Sequence, residues 1–546
     1  MGEVEIELDH EGRDESLTSP GDQASEKEPL ATWRLSLILF SLCVGLMLSM
    51  MDNSIVSTSL YTIALEFGSL ADAIWTVLAY TLSYLGFAVI FAQLSDFIGR
   101  MFAVLGAFTV FIAFSIGCGF AQSLHQLIIF RTFQGVGGSG LYALTLIIAL
   151  ELSTPKTWAL ISGLVGATIA IAGVLGPILG GVLTEYASWR WIFWINSAPC
   201  GVVPVAIFAI AWPKGRSHDQ AIRKHFTQFD MVGSLLLLAA SVLVVFGLHE
   251  GGTGTYAWGS SVTIATLVVG GLCWISLFVW SFLLSRGRWP SIAAIYPWGL
   301  FSHRVMAAGI ISTMFTGFTF FVIIFNLPLR SQIVNAQSPA AAGVRLLPLL
   351  CATAVGSFLG GAASSKKNRT FHTFVVATAF VLLGAGLLST IPADFKMPSK
   401  VYGFEVIVGF GIGLTFSTVS LLTSIEMSAN MHAVAQGIVS QVRVLGGSIG
   451  IAAANALFRV QSHRELQGIL SDEQIGALQT STKIMNTLNA SQAQAVRQAY
   501  SDAFSQSMRV CVYMATVAFV AALFTWQRHP FAQETLKITI PKSQSF

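Results

Sequence analysis

The chain has 546 residues, of which 54% are hydrophobic and only 10% are charged. An average soluble domain carries roughly 25% charged residues, so this composition excludes a water-soluble enzyme as the whole protein. The net charge of +3 conceals a division, because residues 1–30 carry ten acidic and two basic residues while the remainder is net basic. We therefore expect a membrane protein with an acidic tail.

The two ends of the chain are predicted to lie outside the bilayer. Residues 1–33 begin with a polar, acidic stretch that lacks the apolar core of a secretory signal peptide. Such a stretch cannot bury enough apolar surface to fold, so we predict a disordered cytosolic tail. A second cytosolic tail, 528–546, follows the last apolar run.

Fourteen runs are apolar and close to the roughly 20 residues that cross a bilayer as a helix. They lie at about 35–58, 73–93, 102–121, 126–150, 159–183, 191–212, 229–248, 261–285, 305–327, 342–363, 372–391, 401–424, 433–456 and 509–527. We expect an all-α membrane protein in which a six-helix bundle, 34–212, and a second six-helix bundle, 305–527, flank an inserted helix pair, 229–285. The connections are a basic cytosolic loop, 213–228, a cytosolic loop, 286–304, and an outer loop, 457–508.

Basic residues set the orientation, since Lys and Arg concentrate in short cytosolic loops. With both termini inside, the short outer loops hold only Arg190, Arg330, Lys396 and Lys400. The sequon at Asn489 then lies outside and is predicted to be glycosylated. The sequon at Asn368 lies inside and is predicted to be silent.

A weak internal repeat supports the two-bundle design. Gly163, Gly173 and Gly176 in the fifth span match Gly437, Gly447 and Gly450 in the thirteenth, each at an offset of 274 residues. Duplicated bundles around a central site are common in membrane transporters.

Charged residues occur within several of the apolar spans, where each charge costs about 2.5–3.5 kcal/mol on insertion scales, and two of them stand out. Asp52 lies in the first span and Arg131 at a similar depth in the fourth. We expect the two to pair, and protonation of Asp52 to release Arg131, which gives an element with two states biased by a proton. A permanent buried salt bridge is the alternative.

The loop after the second span, residues 92–100, reads AQLSDFIGR. It resembles the loop motif G-x-L-a-D-r-x-G-R-[KR] of the major facilitator superfamily, with Ala92, Phe97 and Met101 as departures. The resemblance implies an inner gate built on Asp96, Gly99 and Arg100. Gly99 permits a tight turn, and the two charged side chains can pair with each other and with helix ends.

The fourth and fifth spans extend this resemblance. Residues 131–135 are similar to the R-x-x-Q-G element of the superfamily, and the fifth span resembles the antiporter motif of its drug:proton exporters, carried here by Gly163, Gly173, Gly176, Pro177, Gly180 and Gly181. Small residues at 163, 166, 170, 173, 177 and 180 are predicted to line one face on which another helix packs closely.

Across about residues 31–530, the chain is most similar to the fungal 14-span drug:proton antiporters of the superfamily, many of which export secondary metabolites or toxins. The resemblance implies a proton-coupled exporter of a small organic molecule. We expect a monomer in the plasma membrane, or alternatively the vacuolar membrane. Its partners are the substrate, protons and the lipid bilayer, and we expect no nucleic acid, metal or other cofactor.

Four residues are candidates for the substrate cavity, because binding pockets combine aromatic groups with a few polar ones. They are Trp75, Tyr80, Gln134 and Arg443. Three other functions remain open: an importer or facilitator of a nutrient or iron chelate with the same fold, a membrane enzyme, and a sensor without transport. The sequence shows no cluster of catalytic residues at one membrane face, so we do not expect an enzyme.

Overall fold

The computed structural model describes residues 31–68, 70–152, 158–197, 201–212, 229–253, 256–287, 292, 294–363, 369–392, 397–427, 431–471, 474 and 488–527. The secondary structure in these ranges is helical, apart from one isolated β-bridge between Gln467 and Leu470. The predicted loop 213–228, the tail 528–546 and residues 1–30 of the predicted N-terminal tail lie outside the described residues.

Eight helices form the first part of the chain. They are α1 (Thr32–Phe67), α2 (Leu70–Ala73), α3 (Trp75–Ile98), α4 (Arg100–Gly119), α5 (Leu124–Glu151), α6 (Trp158–Tyr186), α7 (Trp191–Trp194) and α8 (Val203–Ala211). A helical pair follows, α9 (Met231–Thr253) and α10 (Ser261–Ser285). The remaining helices are α11 (Trp298–Ser302), α12 (Arg304–Ile333), α13 (Pro339–Arg345), α14 (Leu347–Ala363), α15 (Thr370–Leu388), α16 (Lys400–Glu426), α17 (His432–Leu466) and α18 (Ala490–Leu523).

Twelve helical segments in the described part of the chain are long and apolar enough to cross a membrane. They correspond to twelve of the fourteen predicted spans. The predicted span 159–183 corresponds to α6, which has 29 residues and contains Pro177. The predicted span 191–212 differs from the structure, because its described residues form the short helices α7 and α8 with turns at 195–197. The count of fourteen stays a prediction.

Helix packing divides the long helices into two groups. In the first, α3 and α4 pack on α5, and α6 packs on α1. In the second, α14 and α15 pack on α16, α12 packs on α17, and α18 packs on α12 and α15. The groups meet where α6 contacts α13 and α14, and where α3 contacts α17.

These contacts agree with the predicted repeat. Helix α6 packs on α1 within its own group and on α14 in the other, and α17 packs on α12 within its own group and on α3 in the other. Gly176 of α6 lies against the Met51 carbonyl of α1, and the repeat-related Gly450 of α17 lies against the Phe318 carbonyl of α12. Both glycines therefore allow backbones to approach closely at matching positions.

The pair α9–α10 packs through α9 on α3 and α17, one helix from each group. The start of α9 is fixed by the buried carboxylate of Asp230, which accepts hydrogen bonds from the Gly233 amide at 2.8 Å, the Trp280 indole at 2.8 Å and the Ile295 amide at 3.0 Å. Three donors compensate the desolvation of this charge. Asp230 thus ties the start of α9 to α10 and to the segment that follows it.

Three predicted boundaries differ from the structure. Helix α1 begins at Thr32, inside the predicted tail 1–33, and the predicted loop 286–304 contains α11 with Leu300 buried. Most of the described residues of the predicted outer loop 457–508 are helical, since α17 continues to Leu466 and α18 begins at Ala490. These extensions stay ordered because their apolar side chains, Leu466, Val496 and Tyr500 among them, bury one another beyond the bilayer-length runs.

Candidate functional site: a buried ion pair in the first helical group

Asp52 of α1 and Arg131 of α5 form a salt bridge inside the first group. Their similar depths in the first and fourth predicted spans had led us to expect this pair. Nη1 of Arg131 donates to Oδ2 of Asp52, and both side chains are at most 1% exposed. The guanidinium also donates through Nε to the Thr76 carbonyl at 3.0 Å and lies over the Tyr80 ring at 4.2 Å. The cation is therefore held by α1, α3 and α5 together.

Two amides complete the environment of the carboxylate. Gln134 Nε2 and Asn196 Nδ2 both donate to Asp52 Oδ1, at 3.0 and 2.9 Å. The same Gln134 accepts from Arg131 Nη1 through Oε1 at 2.9 Å, so it bridges the two charges. The ionised form of Asp52 thus accepts from three different side chains, all of which favour that form.

Each Gln134 hydrogen bond depends on how its amide is oriented, and Ser115 fixes the orientation. Gln134 Nε2 also donates to Ser115 Oγ at 3.0 Å, while that hydroxyl donates to the Phe193 carbonyl at 2.8 Å. The Ser115 oxygen accepts from the amide and gives its own proton elsewhere. The network therefore reaches from α1 through α4 and α5 to α7.

Tyr80 positions the helices around this pair. Its hydroxyl donates to the Ser49 carbonyl of α1 at 3.0 Å, and Ser49 Oγ donates to the Gly138 carbonyl of α5 at 2.8 Å. A Cβ at Gly138 would lie 2.5 Å from the Tyr80 hydroxyl, so only glycine fits there. Tyr80 and Gln134, both predicted as cavity residues, are thus supports of the ion pair.

Asn196 and Ser115 are functional candidates that the sequence analysis missed. Asn196 follows α7 near the start of the predicted span 191–212, and Trp189, Phe193 and Asn196 are all buried. The sequence feature that could have indicated Asn196 is its position as a polar residue directly after the aromatic-rich stretch 189–195. Nothing in the sequence placed Ser115 near Gln134.

The loop motif 92–100, the predicted inner gate, contains the tight turn between α3 and α4. Gly99 has φ = +90°, a backbone conformation that favours glycine. Arg100 binds both oxygens of Glu151 at the end of α5, Nε to Oε2 at 3.0 Å and Nη2 to Oε1 at 2.6 Å, and also donates to Ser95 Oγ. The side chain of Asp96 lies outside the described residues, so its predicted role stays a prediction. Glu151 was not anticipated.

The small residues of α6 lie on two faces, not on the single face predicted. A Cβ at Gly176 or Gly180 would meet α1 at Ser54 or at Ile55 and Thr58. A Cβ at Gly181 would meet the backbone of Pro339 and Ala340 in the second group. The difference arises because residues four apart share a helix face. Positions 176 and 180 therefore lie on one face of α6, and positions 173, 177 and 181 lie on another. Gly163 is helical, and nothing is described of its surroundings.

Pro177 and Gly173 share the face of α6 that meets the second group. The backbone of Gly343 in α13 packs against the Pro177 carbonyl, and Leu350 of α14 lies 3.7 Å from the Cβ position of Gly173. Near the same end of the bundle, Gln332 Nε2 donates to the Thr58 carbonyl at 3.4 Å. The motif therefore contributes directly to the contact between the two groups at the predicted outer side.

The other two predicted cavity residues, Trp75 and Arg443, make contacts with residues outside the ion pair. Trp75 at the start of α3 donates from Nε1 to Glu250 Oε1 at 2.7 Å and packs edge-on against His249, so it joins α3 to α9. Arg443 of α17 lies over the Phe416 ring of α16 at 3.8 Å. These separate contacts could not be predicted from the residue types alone.

The helical architecture and its buried charges define a multi-pass membrane transporter built from two helical bundles. The family model of the Major Facilitator Superfamily matches residues 42–451, and the chain belongs to that superfamily. The chain is 34% identical over 526 residues to the MFS-type transporter FPY5 of Fusarium mangiferae, covering 94% of this chain and 88% of that protein.

Two further comparisons support the assignment. The chain is 29% identical over 416 residues to Multidrug resistance protein 3 of Bacillus subtilis, covering 76% of this chain and 78% of that protein. Its fold matches the crystal structure of a bacterial homolog of the human lysosomal transporter Spinster, in an inward-facing and unoccupied conformation, with a TM-score of 0.60. That match covers 91% of this chain and 100% of the other at 16% identity, so it concerns the fold alone.

Proposed function

We propose that this protein is a proton-coupled antiporter that exports a small organic molecule by alternating access. The observation that carries the proposal is the buried Asp52–Arg131 pair, with both side chains removed from solvent and held by α1, α3 and α5. Ionisable groups at membrane depth generally serve ion or proton pathways. The similarity to a multidrug resistance protein supports the export direction.

Protonation of Asp52 supplies the switch. The ionised carboxylate accepts from Arg131, Gln134 and Asn196, and a proton on it removes the charge that attracts the guanidinium. Arg131 then keeps the Thr76 carbonyl and the Gln134 oxygen as acceptors. Because these bonds connect different helices, the two protonation states favour different helix arrangements, as a coupled carrier requires.

The loop between α3 and α4 serves as the inner gate in this proposal. Arg100 joins that loop to Glu151 at the end of α5 through two hydrogen bonds. The pair is partly exposed, so it contributes little to the stability of the protein. Its role in this proposal is to hold the loop in one arrangement. Asp96 and Gly99 belong to the same gate.

We further propose the fourteen-span organisation, with α9 and α10 as the inserted pair between two bundles of six and both termini in the cytosol. The packing of α9 on α3 and α17 supports this, because those helices belong to different groups. The plasma membrane is the proposed location, and the vacuolar membrane is the alternative.

The proton gradient suffices as the energy source. One proton moving down one pH unit and 100 mV releases about 3.7 kcal/mol. At 1.4 kcal/mol for each factor of ten, this sustains roughly 500-fold accumulation of a neutral substrate. No nucleotide or bound cofactor is required by the proposal.

The first step of the test is to identify the transported substrate. Comparison of metabolites in the medium and the cells of a deletion strain identifies what the protein moves. The purified protein in sealed vesicles with an imposed pH gradient then establishes direction and coupling. We expect uphill export that Asp52→Asn abolishes while downhill exchange continues, because the amide cannot release a proton.

Glu66→Gln is the matched control, since Glu66 lies on the same helix but pairs with Arg190 near the predicted outer surface. We expect it to retain uphill transport. Unimpaired uphill transport by Asp52→Asn would contradict the coupling role, and cargo that moves only inward would favour the importer.

A further inference from the structure

A second arginine lies between the two helical groups, and part of it has no acceptor. Nε and Nη2 of Arg443 are buried and make no hydrogen bond within the described residues. The face of the guanidinium stacks on Phe416 of α16 at 3.8 Å, a contact that supplies no hydrogen-bond acceptor to its N–H groups. Gly317 of α12 packs against the Arg443 backbone, so the residue is firmly placed in the second group.

The first group presents tyrosines to this cation. Tyr84 of α3 and Tyr142 of α5 are buried on two helices of the first group that contact α17, and their rings are 6.0 Å apart. The Tyr84 hydroxyl is buried and has no hydrogen bond of normal geometry within the described residues. The rings of Tyr80 and Tyr84 are 5.9 Å apart, so an aromatic row of Tyr80, Tyr84 and Tyr142 extends from Arg131, which lies over the Tyr80 ring.

Two other buried arginines have several hydrogen-bond acceptors, whereas Nε and Nη2 of Arg443 have none within the described residues. Arg131 has a carboxylate, an amide oxygen and a backbone carbonyl as acceptors. The buried Arg330 of α12 donates to Asn335, to the Pro392 carbonyl at 2.7 Å and to Ser501. A buried guanidinium normally has its acceptors in place. Two buried N–H-bearing nitrogens of Arg443 instead point to an acceptor that arrives from outside the chain.

We propose that Arg443, Tyr84 and Tyr142 form the anion-recognising part of the substrate site, and that the substrate is an amphipathic organic acid. Arg443 binds the carboxylate edge-on through charge-assisted hydrogen bonds. The Tyr84 hydroxyl donates to the same group, and the apolar body of the substrate packs against Phe416 and the tyrosine rings. This inference rests on the proposed transport function and names the substrate class for it.

An anionic cargo also changes the energetics of export. Outward movement of a monoanion is favoured by a membrane potential that is negative inside, by about 50-fold in the final gradient for each 100 mV. Because Arg443 and Asp52 lie in different groups, anion binding and protonation act on opposite sides of the interface that alternating access rearranges. The site therefore fits exchange of an organic anion for a proton.

The binding test uses the full-length protein purified in detergent, at about pH 7, where a carboxylic acid is ionised. The probes are 1-naphthylacetic acid with 1-naphthylacetamide, and 4-phenylbutyric acid with 4-phenylbutyramide, each pair differing only in charge. Ligand-induced thermal stabilisation is measured against concentration. We expect at least one acid to bind about tenfold or more tightly than its amide, with chloride alone giving no comparable shift.

Variants assign the effect to Arg443. Arg443→Gln is expected to weaken acid binding about tenfold or more and to leave amide binding unchanged. Arg443→Lys keeps the charge without the planar fork and is expected to give an intermediate acid affinity. Should the glutamine variant fail to fold, the lysine variant still carries the test. Arg345→Gln is the matched control, because Arg345 lies at the end of α13 against Met397, and it is expected to bind like the unaltered protein.

Three outcomes would overturn the inference: no preference for either acid over its amide, equal acid binding after Arg443→Gln in a folded protein, or equal loss of acid and amide. A shift produced by chloride alone would assign the site to an inorganic ion instead and would also overturn it. Binding is measured without a proton gradient. A chain that binds the acid but moves it without proton coupling would therefore refute the proposed function alone.

Discussion

Asn196 and Asp52 are joined by a hydrogen bond of 2.9 Å, although Asn196 lies in the segment after α7 and Asp52 lies within α1. The bond places an amide from the connection between two long helices on the carboxylate oxygen that Gln134 also contacts at 3.0 Å. Any movement of α7 relative to α1 therefore changes the number of donors on Asp52. The Asn196 amide therefore links the position of α7 to the proton affinity of Asp52.

Asn196→Ala is expected to shift the pH dependence of transport. Removing a donor to the ionised carboxylate makes its protonated form relatively more stable. A hydrogen bond to a charged group is worth about 1.5–3 kcal/mol, so the pH of half-maximal proton-driven export should rise by about one to two units relative to the unaltered protein. The measurement is export from vesicles over a pH series. Asn196→Ser, which retains a donor, is the control, and an unchanged profile for Asn196→Ala would argue against the role of this bond.

The Asp52–Arg131 pair predicts a non-additive effect on stability. Arg131→Gln alone leaves a buried carboxylate without its cation, which costs about 3–5 kcal/mol. The double variant Asp52→Asn, Arg131→Gln removes both charges and should recover most of the melting temperature, while uphill export stays absent. Thermal unfolding in detergent and vesicle transport measure the two properties on the same preparations. A double variant as unstable as Arg131→Gln would show that the charges are not energetically coupled.

The antiporter motif predicts different results for two neighbouring glycines. Gly180 faces α1 within its own group, so Gly180→Val should lower the melting temperature of the protein. Gly181 faces Pro339 and Ala340 in the other group, so Gly181→Val should leave stability nearly unchanged but hinder closure at the outer side. The readout is labelling of Gln332→Cys in a background without other cysteines, since Gln332 is buried at that contact.

We expect Gly181→Val to increase the rate of that labelling severalfold and to slow transport. Gly386→Val is a suitable control, because a Cβ at Gly386 meets open space. If Gly180→Val and Gly181→Val affected labelling equally, the assignment of the two faces of α6 would be wrong.

The proposed inner gate is tested by exchanging its charges. Arg100→Glu and Glu151→Arg should each slow transport, because like charges then replace the pair that joins the α3–α4 loop to α5. The combined exchange should restore much of the rate. Melting temperatures should change little, since the pair is partly exposed and such pairs contribute about 0–1 kcal/mol. Failure of the combined exchange to improve on either single variant would remove Glu151 from the gate.

The sequence predicted the superfamily fold and the Asp52–Arg131 pair, because apolar run length and depth in the bilayer constrain both. It could not predict Asn196, whose position depends on how a connection folds back into the bundle. Glu151 was equally hidden, since the end of a helix carries no signal for its partner. Arg443 was a candidate for the substrate cavity, but only packing shows that Phe416 covers its face and that Nε and Nη2 have no acceptor within the described residues. The sequence therefore indicates how deep a residue lies in its membrane span. Which neighbour a side chain faces depends on how each helix is rotated about its axis, and tertiary contacts determine that rotation.

The proposed orientation predicts a glycan at Asn489. This exposed residue caps the N-terminus of α18, where its side chain accepts from the backbone and Gln492 reciprocates. The cap uses the side-chain oxygen, and glycan attachment uses the nitrogen, so the two are compatible. Treatment with a glycosidase should increase the electrophoretic mobility of the protein. Ser491→Ala should abolish the shift while the cap remains, and Asn368→Gln should have no effect. A shift lost in Asn368→Gln instead would invert the proposed topology.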